Sequence, residues 1–176
     1  MKPLARKTVT IVSVITMLCI VMSFFVSDVY AQQRGARKDN QLVGHWTLVS
    51  VKNELEGKTT EPFGSKPKGL FIFDRTGRYV SMMFAPDLPK FASNNRLTGT
   101  PEENKAIIIG SLVHYGTYTV NEKEGTFSVL PEGSTFPNWT GIEQKRAFSI
   151  SKDELKITNI GASAGGTATL ILKRIK

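Results

Sequence analysis

From Leu42 onward the chain is a series of short β-rich runs cut by turn signals, the pattern of a sandwich or barrel. The first run, residues 43–51, carries Val, Thr, Trp and Leu. Residues 69–73 and 78–84 flank Asp74-Arg75-Thr76-Gly77. Asp at the first and Gly at the fourth position of a tight turn make this a hairpin. Residues 115–120 and 126–130 flank a second hairpin at 121–125, and residues 142–150, 155–160 and 167–175 complete eight strands. One segment breaks the β rhythm. Thr100-Pro101-Glu102-Glu103 sets a cap, a first-turn proline and a capping-box glutamate, predicting a helix to about Val113. It lies between the third and fourth strands. Its apolar stripe of Ala106, Ile107, Ile109, Gly110 and Val113 predicts packing against a neighbour.

Eight antiparallel strands joined mostly by short turns suggest a mainly β fold, a single up-and-down barrel. Closure removes edge strands, and eight strands enclose just enough space for a core or one small ligand. A two-sheet sandwich would bury the same residues without a central cavity.

The first 31 residues read as an export signal. Lys2, Arg6 and Lys7 give a positive start, residues 8–26 hold no charge, and Val29-Tyr30-Ala31 suits a cleavage site before Gln32. The rival is an uncleaved membrane anchor, since the uncharged run approaches the ~20 residues that cross a bilayer. Cys19 follows the bulky Leu18 and sits within the apolar run, so it reads as hydrophobic filler rather than a lipidation site. Residues 32–41 hold one apolar side chain and read as a flexible lead-in, leaving 42–176 as the domain.

Removing residues 1–31 takes the net charge from +8 to +6 and leaves no cysteine. Disulfides and thiolate metal sites are thereby excluded, and two histidines leave little room for a multi-histidine centre. No cofactor and no metal is expected. The domain must be stabilised by its apolar core, which suits a periplasmic or secreted bacterial protein. Its basic residues are scattered, and export argues against a nucleic-acid partner.

The strand at 142–150 carries the most informative chemistry. Alternation puts Ile142, Gln144, Arg146, Phe148 and Ile150 on one face, and the apolar side should face inward. A buried guanidinium needs an acid, carbonyls, water or a ligand anion. Arg146, helped by Gln144, is therefore a candidate to hold the polar head of a mostly apolar ligand. Bonding to loop carbonyls or Glu132 is the structural alternative. Tyr79 and Tyr115 could donate hydrogen bonds into a cavity or pack as ordinary strand residues. Arg96, Asn138 and Trp139 sit on proline-fixed loops that suit either a barrel mouth or a packed plug. Asn138-Trp139-Thr140 also spells a glycosylation acceptor, relevant only in a eukaryotic host. His114 reads as a helix-end cation or, less often, a base. No nucleophile elbow, His-Glu-x-x-His or phosphate loop is present, and no catalytic residue is assigned.

Gly44-His45-Trp46 in the first strand, with Arg174 in the last, resembles the lipocalins, whose first-strand Trp stacks against an Arg of the final strand. Residues 42–50, Pro67-Lys68-Gly69, Pro86-Asp87-x-Pro89-Lys90-Phe91-Ala92-Ser93 and Gly99-Thr100-Pro101-Glu102-Glu103 resemble the bacterial and fungal lipocalin-like domain family. Tyr115-Gly116-Thr117-Tyr118, Gly133-Ser134-x-Phe136-Pro137-Asn138-Trp139 and Gln144-x-Arg146 follow in that family's order. The resemblance implies a calycin-like barrel and only a general role. Two departures stand out. Relatives often carry a histidine where this chain has 126–131, and an aromatic two residues before the final Arg, where Leu172 stands.

Three functions remain open. One is an exported carrier or sensor taking a small apolar ligand. A second is an enzyme of isomerase, cyclase or hydrolase type acting on such a molecule. The third is an envelope interaction protein whose lumen is filled by Phe71, Phe73, Met82, Met83, Phe84 and Phe127.

Overall fold

The computed structural model describes residues 40–176, so the export signal and nearly all of the lead-in lie outside the described residues. Residues 40–176 form one unit. Its strands are β1 (Gly44–Leu55), β2 (Lys58–Thr60), β3 (Lys68–Phe73), β4 (Arg78–Phe84), β5 (Ser111–Asn121), β6 (Thr126–Ser134), β7 (Gln144–Ser151), β8 (Glu154–Asn159) and β9 (Thr167–Arg174). All pairings are antiparallel, and β1 pairs with both β3 and β9. Eight strands thus close into a barrel. β2, missed in the sequence reading, pairs only with the far end of β1. Lys58, Thr59 and Thr60 are all exposed and leave no apolar alternation to detect. The signal that could have found β2 is Glu56-Gly57, both at positive φ, which reverses the chain in two residues.

Up-and-down connectivity gives the barrel two unlike ends. At one end, tight turns join β3 to β4, β5 to β6 and β7 to β8. In the first turn Asp74 Oδ1 accepts from Thr76 N and Arg78 N, both at 2.8 Å, as the Asp-to-Gly spacing predicts. This end is sealed. Trp46 is fully buried and donates from Nε1 to the Leu42 carbonyl at 2.8 Å. The Arg174 guanidinium lies 4.0 Å from the Trp46 ring centre and donates to the Val43 and Gln41 carbonyls. A Cβ on Gly44, whose φ is +137°, would stand 2.6 Å from Arg174 NH1, so glycine is required there. Phe73 packs edge-on against Tyr118 and Phe127, and Phe71 is buried near them, filling this half of the lumen. Met82 and Phe84 do not join them: both are half-buried and alternate with inward Ser81 and Met83.

The long connections gather at the other end. Helix α1 (Pro101–Ile109) has the expected capping box, with Thr100 Oγ1 accepting from Glu103 N and Glu103 Oε2 accepting from Thr100 N. Glu103 Oε1 also accepts from Ala92 N at 2.8 Å, tying the preceding loop to the helix. The helix ends earlier than predicted, because β5 starts at Ser111 and pairs with Phe84. It buries its apolar stripe only in part: Ala106, Ile107 and Val113 are half-buried and Gly110 is buried, but Ile109 is 63% exposed and, beside Ile108 at 68%, stands at the open end of the barrel.

Candidate functional site

A cavity of about 320 Å³ occupies the open half of the barrel. Its walls are mostly apolar, with Val51, Phe63, Met83, Leu112 and Leu170 among them, and Ile108 and Ile109 of the helix border it. The lumen is therefore packed solid at one end and hollow at the other. The hollow exists partly because Ala162, Ala164 and Ala168 supply small side chains to its walls.

Polar groups enter this greasy space from several strands, Asn53 on β1 and Asn159 on β8 among them, and two strands bring titratable ones. On β7, Arg146 is 5% exposed and lines the cavity, as alternation predicts. Its NH2 donates to Gln144 Oε1 at 2.9 Å, while its Nε has no hydrogen-bond partner. Its guanidinium carbon lies 5.6 Å from the Trp139 ring centre. Glu132, the candidate structural partner, is engaged elsewhere, accepting from Arg78 NH2 at 2.8 Å on the surface. Among the described residues no carboxylate pairs with Arg146. Burial pulls its pKa down to about 10, partly offset by the nearby Tyr79, so it remains a cation at neutral pH.

On β5, His114 is fully buried and also lines the cavity. Tyr79 of β4, buried as well, places its hydroxyl 2.9 Å from His114 Nδ1. His114 Nε2 has no partner. Burial, reinforced by the Arg146 charge, pushes the imidazole pKa down to about 3, and burial raises that of Tyr79 to about 12. Such a histidine is a weak base. It is better suited to forming a neutral hydrogen bond than to taking a proton.

The sequence reading assigned His114 to a helix end because it started the strand at Tyr115. The strand starts at Ser111, and parity then turns Leu112, His114, Gly116 and Tyr118 inward. The same parity corrects Tyr115. It is 47% exposed on the outer face, with its ring close to Gly133, and does not reach the cavity. Arg96 and Asn138 are likewise exposed and outside the cavity walls. Ile142, expected inward, is exposed because β7 starts two residues later. Trp139 does reach the site, carried by a one-turn 3₁₀ helix (Pro137–Trp139) that sets its ring edge-on to both His114 and Phe136. Gln144 acts beside Arg146 rather than from the cavity wall.

Three further buried polar atoms lack partners, Gln144 Nε2 among them. Asn53 Oδ1 belongs to a residue of the cavity wall, and Ser81 Oγ lies on β4 opposite His114. Among the described residues no group of three or more His, Cys, Asp or Glu gathers, and no helix is long and apolar enough to cross a membrane.

The model of a family described as a lipocalin-like domain matches residues 43–175. No curated protein matches the chain. Among solved structures, a lipocalin-like protein from Bacteroides uniformis is similar at 13% identity with a TM-score of 0.43, over 77% of this chain and 100% of that one.

Proposed function

Because the chain belongs to the lipocalin-like domain family, we propose that it binds a small, mostly apolar molecule whose polar or anionic head meets Arg146. One observation carries this reading: a buried guanidinium on the wall of an apolar cavity, with an unbonded Nε and, among the described residues, no carboxylate opposite it. Leaving a charge in that state costs the empty protein several kcal/mol, which a ligand anion would repay. An anion entering from the open end supplies the missing partner, while the apolar walls take the rest of the molecule.

We further propose that the protein acts outside the cytoplasm, periplasmic or secreted after cleavage near Ala31, as an exported carrier or sensor. The charged start and uncharged run of residues 1–31 support this.

Two dyes of nearly identical shape test the binding proposal. Anilinonaphthalene sulfonate carries an anionic head, and phenylnaphthylamine is its neutral counterpart. Both should fluoresce on binding to the wild-type protein, and Arg146→Leu should weaken the sulfonate while sparing the neutral dye. Equal affinity of the sulfonate for a folded Arg146→Leu variant would remove Arg146 from the site.

A further inference from the structure

We propose that the head is a carboxylate held by two donors, Arg146 Nε–H and His114 Nε2–H, with Tyr79 acting as the positioning residue that puts the proton on His114 Nε2. This rests on the binding reading above and specifies the ligand class at the same site.

The proton count around His114 comes first. A neutral imidazole has one donor and one acceptor nitrogen. Nδ1 faces the Tyr79 hydroxyl, the only hydrogen-bond partner that either group shows among the described residues. If Tyr79 donates to Nδ1, the imidazole proton sits on Nε2 and one buried donor is left over. If Nδ1–H donates instead, the phenol hydrogen is left without an acceptor and Nε2 becomes a bare acceptor. The first arrangement leaves the fewer unpaired groups, a single Nε2–H donor buried behind the cavity surface on a residue that lines it.

Chemical sign comes next. Arg146 Nε and Gln144 Nε2, both on β7, are unbonded donors, whereas Asn53 Oδ1 on the β1 wall is an unbonded acceptor and Ser81 Oγ, opposite His114, can act as either. Gln144 presents its oxygen to Arg146 NH2, which fixes its amide orientation and turns the amide nitrogen away. Arg146 and His114 face the same Trp139 ring, at 5.6 and 5.4 Å from its centre. Two donors flanking one aromatic ring in an apolar cavity call for an acceptor group with two oxygens. The charge selects among oxyanions. A single guanidinium beside a neutral imidazole balances one negative charge, as a carboxylate carries. A phosphate monoester, with up to two charges at neutral pH, would leave a net buried anion.

The test uses dodecanoate and, at matched chain length, its methyl ester, dodecanol and dodecyl phosphate, titrated into the domain. Long-range proton–nitrogen NMR of the imidazoles is recorded in parallel. The chain has two histidines, and exposed His45 is the internal reference. In the wild-type protein His114 should be the Nε2–H form, and dodecanoate should shift that nitrogen and bind at least about tenfold tighter than ester, alcohol or phosphate. His114→Leu should remove most of that preference. Tyr79→Phe should mix the two tautomers, a change that loss of packing alone would not produce. The NMR measurement on the wild-type protein keeps the proposal falsifiable even where a variant fails to fold. An Nδ1–H form of wild-type His114, or equal affinity for dodecanoate and dodecanol, overturns the two-donor proposal while leaving the cavity reading standing. Tighter binding of the phosphate overturns the choice of carboxylate. No binding of any probe overturns both readings together.

Discussion

Arg146 is buried against an indole rather than an acid: its guanidinium carbon lies 5.6 Å from the Trp139 ring centre, with no carboxylate opposite among the described residues. Cation–π attraction recovers about 2 kcal/mol when such a pair is desolvated, less than the burial of the charge removes. The residue therefore weakens the empty fold and strengthens the liganded one, which separates a binding role from a structural one.

Replacing Arg146 with Leu should leave the thermal midpoint unchanged or raise it by a few degrees, because a desolvated charge gives way to a side chain that suits its apolar surroundings. The same variant should lose at least about tenfold in affinity for the anionic dye. Differential scanning fluorimetry without dye, followed by fluorescence titration, reads both effects. A large drop in midpoint would assign Arg146 to the structure instead.

The sealed end should behave in the opposite way. Trp46→Ala removes a fully buried ring and its hydrogen bond to Leu42, and should cost about 3–5 kcal/mol in urea unfolding. Gly44→Ala should also destabilise, since the added methyl meets Arg174 at 2.6 Å. Dye affinity of the remaining folded fraction should not change, because the cavity lies at the other end of the barrel.

Stability should fall on acidification, and His114 should account for much of the slope. Its folded pKa of about 3 lies below the ordinary 6.5, so the unfolded chain binds the proton more readily. The stabilisation is complete above about pH 6.5 and is lost progressively as pH falls toward 3. Urea titrations across that window should show a shallower decline in His114→Gln than in the wild-type protein. Identical slopes would mean that His114 is not held neutral by burial.

Alanine at Tyr115, Arg96 or Asn138 should leave dye affinity unchanged, since none of the three reaches the cavity wall. A loss at any of them, measured in a folded variant by the same titration, would extend the site beyond the barrel interior.

Turns and the helix cap were the most legible parts of the sequence. Asp74–Gly77 and Thr100–Glu103 act through contacts within four residues, so local sequence specifies them. Arg146 was legible for a related reason: alternation along one strand settles which face a side chain takes. His114 and Tyr115 exchanged roles because that rule needs the strand's first residue, and the helix-to-strand junction obscured it. Ser111 begins β5 through pairing with Phe84, a contact across 27 positions that no local pattern reports. The hollow was not legible either. It depends on small residues from the 160–168 segment meeting across the barrel the large ones of distant strands.

Native mass spectrometry of the protein purified from its own host, beside Arg146→Leu prepared identically, tests the central claim most directly. The account predicts a small-molecule adduct on the wild-type chain, released intact on activation and depleted in the variant. A bare wild-type chain under conditions gentle enough to keep added dodecanoate bound, or an adduct retained equally by both proteins, would contradict it.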